Sequence, residues 1–199
     1  MELVKSKSRL VKGVPIRIVA LGDSLTQGWM VRKGYLDFLG ELLAAKYPCG
    51  KVTIINRGIP GDTAEGGLMR LRREVIDQDP DLVFIQFGLN DAYTGVSPER
   101  YHRTIEAMVD RLLADTEAEV LLVTSVPIMH GEEDFMAEAF YSRLDAVARE
   151  RNLPIARVHR YWKRMISGGI DFRSLVQGDG VHPNVEGYRL MAEAIMEEL

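Results

Sequence analysis

The stretch Ile16-Arg17-Ile18-Val19-Ala20-Leu21-Gly22-Asp23-Ser24-Leu25-Thr26 decides the fold. It is a short apolar run that ends abruptly in Gly-Asp-Ser, the pattern of a strand buried in a parallel sheet. In open α/β sheets, ligands bind outside the carboxyl ends of the strands. Ser24 is therefore delivered to the place where a nucleophile would act. Taken alone, the tripeptide is equally an ordinary turn, because Gly, Asp and Ser all favour turns. The other strand ends decide between the two readings.

Downstream the chain alternates. Tyr35, Phe38, Leu39, Leu42, Leu43 and Tyr47 recur at helical spacing. Val52 to Asn56 reads as a second strand, ended by Arg57-Gly58. Asp62 is placed as an N-cap with Glu65 as its capping-box partner, opening a helix whose inward stripe is Leu68, Leu71 and Val75. Leu82 to Gln86 is strand three, and Ser97-Pro98 opens the next helix with a cap and an N1 proline. Val120 to Thr124 is strand four, followed by a loop from Pro127 to Phe135 and a helix to about Glu150. A short strand at Ile155 to Val158, one or two helical turns at Tyr161 to Ile166, and a last helix carrying Tyr188, Met191, Ala192 and Ile195 complete the pattern. Strands alternating with helices imply βαβ units and a mostly parallel sheet, with right-handed crossovers placing helices on both faces. The expectation is an α/β protein: a five-stranded, three-layer α/β/α sandwich, flavodoxin-like in outline.

Whole-chain properties agree with one globular domain over 1–199, with 1–15 as an N-terminal extension. The chain has 199 residues, 46% hydrophobic and 27% charged, enough for a sizeable core. A net charge of −4 gives no support to a nucleic-acid partner. The basic run Lys5, Lys7, Arg9 and Lys12 reads as a frayed, solvated end. No apolar stretch is long enough to span a bilayer. The N-terminus lacks a clear signal-peptide pattern, and the single Cys49 fits a reducing, cytoplasmic compartment, although a removed leader would leave secretion open. Oligomeric state is not legible.

Polar clusters collect in four places: Gly22-Asp23-Ser24-Leu25, Asn56-Arg57-Gly58-Ile59-Pro60-Gly61, Gly88-Leu89-Asn90-Asp91, and Asp179-Gly180-Val181-His182-Pro183 before the last helix. In a parallel sheet the first three converge on one edge. A serine hydroxyl is a poor nucleophile until a neighbouring base takes its proton, and an imidazole titrates in the range that suits this task. His182 is the candidate base. Asp179, three residues earlier, is placed to orient it, with Asp171 or a backbone carbonyl as alternatives for that role. Asp23 and Asp91 read as structural carboxylates that bond loop N–H groups. His130 follows strand four and is placed to line the cleft. His102 and His159 read as surface or strand-end residues without a partner.

The four blocks, in this order from about Ile16 to Leu199, resemble the SGNH hydrolases, also called GDSL esterases and lipases. The Ser, Gly, Asn and His of the family name match Ser24, Gly58, Asn90 and His182. The resemblance implies an acyl-enzyme on Ser24, and an oxyanion hole made by the backbone N–H of Ser24, the backbone N–H of Gly58 and the side-chain amide of Asn90. It implies a small-molecule ester as the partner and no cofactor. Family members cleave acetyl groups from sugars, short acyl esters, lysophospholipids and thioesters. The absence of a long lid insertion favours short-chain acyl or acetyl esters of a soluble alcohol or sugar. Pro127 to Phe135 and Trp29 to Val31 are expected to shape the acyl pocket.

Rival readings find less support. A non-catalytic binding module on the same fold would have no need of Ser24, Asn90, Asp179 and His182 together. The Gly-x-Ser-x-Gly elbow of α/β-hydrolases is absent. The histidines lack ligand spacing such as His-Glu-x-x-His, so no metal is expected. Neither Gly-x-Gly-x-x-Gly after the first strand nor a Gly-x-x-x-x-Gly-Lys loop is present. A metal-assisted or cationic phosphate site would have only Arg57 inside a block.

Overall fold

A computed structural model describes residues 2–199. Its centre is β1 (Ile16–Gly22), which pairs in parallel with β2 (Val52–Gly58) on one side and β3 (Leu82–Gln86) on the other. With β4 (Glu119–Val123) and β5 (Ile155–Ala156), the five strands run in the order β2-β1-β3-β4-β5, all parallel. The helices among the described residues are α1 (Val4–Lys12), α2 (Ser24–Gln27), α3 (Tyr35–Lys46), α4 (Ala64–Glu74), α5 (Leu89–Tyr93), α6 (Pro98–Asp115), α7 (Gly131–Glu150), α8 (Val158–Ser167) and α9 (Val185–Met196).

Side chains alternate across the strands and so divide the core into two. Ile16, Ile18, Ala20, Phe84, Leu121 and Val123 pack under α1, α3, α8 and α9. Val19, Leu21, Val83, Ile85, Val120 and Leu122 pack under α4, α6 and α7. This is the three-layer sandwich that the alternation predicts. The register also places Gly58, Gly22, Gln86, Val123 and Ala156 in one row at the carboxyl edge. The chain reverses its direction of winding between β1 and β3, the position where open sheets of this order form a crevice.

Local differences from the sequence reading have identifiable causes. Thr63, not Asp62, caps α4, its hydroxyl accepting from Gly66 N–H. Asp62 is drawn away by Arg70, whose Nε donates to it at 2.8 Å. Strand β5 is short because the chain turns at Arg157 into α8, which is longer than the two turns expected. Cys49 is a free, exposed cysteine. No helix among the described residues is long and apolar enough to cross a membrane.

The largest correction concerns residues 4–12. They form a docked helix, not a frayed end. Leu3 and Leu10 are buried in the first core. The first-turn amides of α1 have no partners within the helix; the Glu119 carboxylate in β4 accepts Lys5 N–H at 3.0 Å and Ser6 N–H at 2.7 Å. An anion at a helix N-terminus is favourable. Leu10→Ala is expected to cost about 2–5 kcal/mol, whereas Val11→Ala, one residue on and exposed, should change stability by less than about 0.5 kcal/mol. Urea unfolding of the two variants measures the difference; equal, negligible effects would return this segment to a frayed end.

Candidate active site

Ser24 leaves the carboxyl end of β1 as the first residue of α2. Asp23 is the N-cap, its side chain accepting Leu25 N–H at 2.9 Å. That bond fixes the turn and presents the hydroxyl to the crevice. Ser24 Oγ lies 3.0 Å from His182 Nε2, and His182 Nδ1 lies 2.6 Å from Asp179 Oδ2. A carboxylate only accepts hydrogen bonds, so the ring proton belongs on Nδ1 and the Nε2 lone pair faces the serine hydroxyl. This is the orientation in which an imidazole can take the proton of an attacking hydroxyl.

The loop that carries this pair is braced. Asp179 Oδ1 accepts Val181 N–H at 2.9 Å and His182 N–H at 3.0 Å, leaving Oδ2 for the ring. Partial burial raises the Asp179 pKa, but the Val181 N–H and the His182 contacts outweigh it and hold the carboxyl below the usual range. Gln177 Nε2 donates to Pro183 O and Trp29 O, both at 2.9 Å, tying the histidine loop to the turn after α2. The Trp29 ring lies beside the imidazole, 6.1 Å between centroids. Asp171, the alternative orienting acid, instead bonds Arg173 N–H in a short 3₁₀ turn.

Asn90 reaches the same cavity from α5, with one amide N–H donated to Asp62 O at 2.9 Å. An asparagine amide has two N–H donors, so one remains for a ligand. Asp91 beside it bonds Ala64 N–H and caps α4 from across the crevice. Gly58 departs from expectation. Its N–H is donated to Asn56 Oδ1 at 2.9 Å, and a Cβ there would lie 2.2 Å from Gln27 N. Gly58 is a packing contact against α2, and its amide is already spent.

The cavity beside Ser24 has a volume of about 220 Å³ and is lined by Leu25, Leu89, Asn90, Tyr93, Val181 and His182, with Asp23 and Asp179 at its edges. Pro127 to Phe135 and Trp29 to Val31 do not line it. Met129 and His130 face a separate groove of about 560 Å³ with Phe172, Arg173 and Gln177. One wall of the cavity is instead formed by α5, a helix too short for periodicity to reveal. His159 is buried, not superficial: its Nδ1 bonds Thr124 Oγ1 at 2.8 Å, and burial lowers its pKa to about 4. His102 has two acidic neighbours, Glu106 at 3.3 Å and Glu150 at 3.2 Å. Among the described residues these three form the one grouping with the donor types to hold a metal ion, and none of them lines the cavity.

Comparison with known proteins identifies the family. The profile of the GDSL-like lipase/acylhydrolase family matches residues 20–190. The chain belongs to that family. It is 28% identical to an arylesterase of Vibrio mimicus, over 92% of this chain and 88% of that protein. It is 26% identical to an acetylxylan esterase of Geobacillus stearothermophilus, over 92% and 93% of the two chains. Thioesterase 1/protease 1/lysophospholipase L1 of Escherichia coli K12 is 26% identical, over 92% of this chain and 82% of its own length. The crystal structure of Axe2, an acetylxylan esterase from Geobacillus stearothermophilus, superposes with a TM-score of 0.83 at 23% identity, over 92% and 93% of the chains. That likeness shows a shared fold.

Beneath the cavity lies a buried polar network. Gln86 Oε1 accepts from Thr26 Oγ1 at 2.8 Å, and Gln86 Nε2 donates to Ser125 Oγ at 2.8 Å and to Asp23 Oδ2 at 3.4 Å. Burial raises the Asp23 pKa from 3.8 to about 7, against the opposing pull of Leu25 N–H and Gln86, and it raises Asp91 to about 6. The folded state therefore retains protons that the unfolded chain has released. The stabilisation is fully present below the unfolded value of 3.8 and is lost as pH rises through about 7. Asp23→Asn is expected to flatten this part of the fall in Tm between about pH 4 and 7. Thermal unfolding across that range checks it; a variant profile parallel to wild type would remove Asp23 from the effect.

Proposed function

We propose that this member of the GDSL-like lipase/acylhydrolase family is a serine esterase that works through an acyl-enzyme on Ser24. The observation that carries the reading is the unbroken chain of contacts Ser24 Oγ–His182 Nε2 and His182 Nδ1–Asp179 Oδ2, at 3.0 and 2.6 Å, opening on a cavity. Ser24 Oγ attacks the ester carbonyl as His182 takes its proton. Asp179 orients the ring and stabilises the imidazolium. The tetrahedral intermediate collapses, and the alcohol leaves with the proton from His182. Water activated by the same nitrogen then frees the acid and restores the serine.

Negative charge on the carbonyl oxygen needs preorganised donors. Ser24 N–H begins α2 and makes no hydrogen bond among the described residues. The second N–H of Asn90 supplies another donor. Since Gly58 is spent on Asn56, we assign the third to Gly61. Its N–H is unpaired among the described residues, its φ is +77°, and it immediately precedes the residue whose carbonyl holds Asn90. A positive φ at that point favours glycine.

Volume and lining support a small acyl group as the substrate class. A space of about 220 Å³ is smaller than the roughly 300–1,000 Å³ that encloses drug-sized ligands. Leu25, Leu89, Tyr93 and Val181 make it apolar. It fits an acetyl or short acyl group, with the alcohol, sugar or otherwise, left outside. Activity on p-nitrophenyl esters is expected to peak at short acyl chains; a maximum at long chains would overturn the preference.

Two variants test the mechanism. Ser24→Ala should abolish turnover and labelling by a serine-directed phosphonate while the fold is retained; near-wild-type turnover would remove Ser24 from the chemistry. Asn90→Ala should lower kcat by about 10²–10³-fold with little change in KM. A loss confined to KM would make Asn90 a substrate-binding residue only.

A further inference from the structure

Arg70, on α4, is charged yet buried, with 9% of its surface exposed. No step of the mechanism above uses it, and it does not line the cavity. Its guanidinium makes four hydrogen bonds to three separate segments. Nη2 donates to Gly22 O at 3.0 Å, the last residue of β1. Nη1 donates to Arg57 O at 2.8 Å near the end of β2, and to Glu74 Oε2 at 2.8 Å. Nε donates to Asp62 Oδ2 at 2.8 Å.

Those contacts stand directly behind the donors assigned to the oxyanion. Gly22 is two residues before Ser24. Arg57 O and Asp62 bracket the turn that carries Gly61, and Asp62 O is the atom that receives Asn90 Nδ2. Gly22 O also accepts Ile59 N–H at 3.0 Å, so the strand end and the turn share one anchor. We infer that Arg70 is the positioning residue of the oxyanion site: one planar fork sets the spacing between the Ser24 turn, the 57–62 turn and, through Asp62, the Asn90 amide. This inference rests on the esterase reading and extends it.

The role is geometric and not a matter of charge. Asp62 at 2.8 Å and Glu74 at 2.8 Å more than neutralise the guanidinium, so little of its field remains for a developing oxyanion. The fork is what matters. It satisfies two backbone carbonyls and two carboxylates at fixed angles, which an ammonium group on a flexible stem cannot reproduce. A misplacement of about 1 Å in a reacting constellation is enough to cost roughly 10²-fold in rate.

The test compares Arg70→Lys, Asn90→Ala and the double variant on p-nitrophenyl acetate, with kcat and KM measured across pH and folding checked by circular dichroism. Arg70→Lys keeps the charge and loses the fork. It should lower kcat by about 10–100-fold, leave KM within about threefold, and leave the pH midpoint of kcat/KM unchanged, because the Ser24–His182–Asp179 contacts are untouched. Combined with Asn90→Ala, it should add little further loss, since both act on one donor set. Full activity in Arg70→Lys, a loss expressed in KM, or losses that multiply in the double variant would overturn the assignment. If Arg70→Lys fails to fold, Asp62→Asn, which disturbs only the Nε contact, replaces it with a smaller but equally coupled loss expected. Retained turnover in Asn90→Ala would instead refute the underlying oxyanion reading.

Discussion

The register of β1 between its two parallel neighbours is the constraint on which the rest depends. Gly22 is opposite Gly58 on one side and Gln86 on the other. Three polypeptide segments are thereby released from the sheet at the same level. A slip of one residue would turn every strand side chain to the opposite face and exchange the two cores. It would also carry Asp23-Ser24 out of reach of Gln86 below and His182 above. Both faces are apolar, so the register is held at the strand ends, where Gln86 meets Asp23 and Thr26, and Gly22 O accepts Ile59 N–H. The register of the sheet and the placement of the hydroxyl are thus one fact at two scales.

Just under the edge, the interior becomes polar. Gln86, Thr26, Ser125 and Asp23 are all buried, and Tyr35 extends the network by its hydroxyl to Thr26. Such groups weaken a core unless they are bonded to one another. Here they are, and the bonds run between the ends of β1, β3 and β4. A purely apolar filling would fix these strand ends less specifically in direction. Arg70 performs a related task on the β2 side, where two carboxylates and two carbonyls would otherwise be left facing each other.

Much of this was legible in the sequence, and the exceptions share a cause. Strands β1, β3 and β4 stand out because continuous apolar runs bounded by turn residues have few other interpretations. Asp179 and His182 are legible because their contact closes over three residues. That the Gly58 N–H is taken up by the Asn56 side chain was not legible, because nothing in the residue pattern reports where that amide bonds. The cavity walls Leu89 and Tyr93 lie on a helix of five residues, below the length at which a period shows. The N-terminal helix was obscured by its lysines. Leu3 and Leu10 face inward while Lys5 and Lys12 stay in water, and a charge run on one face does not report what the other face does.

That helix has a consequence for how the chain is made. Helix α1 is capped by Glu119, which is synthesised more than one hundred residues after it. At typical synthesis rates it waits on the order of ten seconds for its partner. During that time Leu3 and Leu10 have no core to enter. The face of the sheet under α1 is closed at its other margin by α9, and Tyr47 in the turn after α3 bonds the Leu199 carbonyl. The second core, built from α4, α6 and α7, draws on nearer segments and can be assembled earlier. Folding therefore has a direction: the side under α4, α6 and α7 can be covered first, and the side shared by α1 and α9 is covered after it.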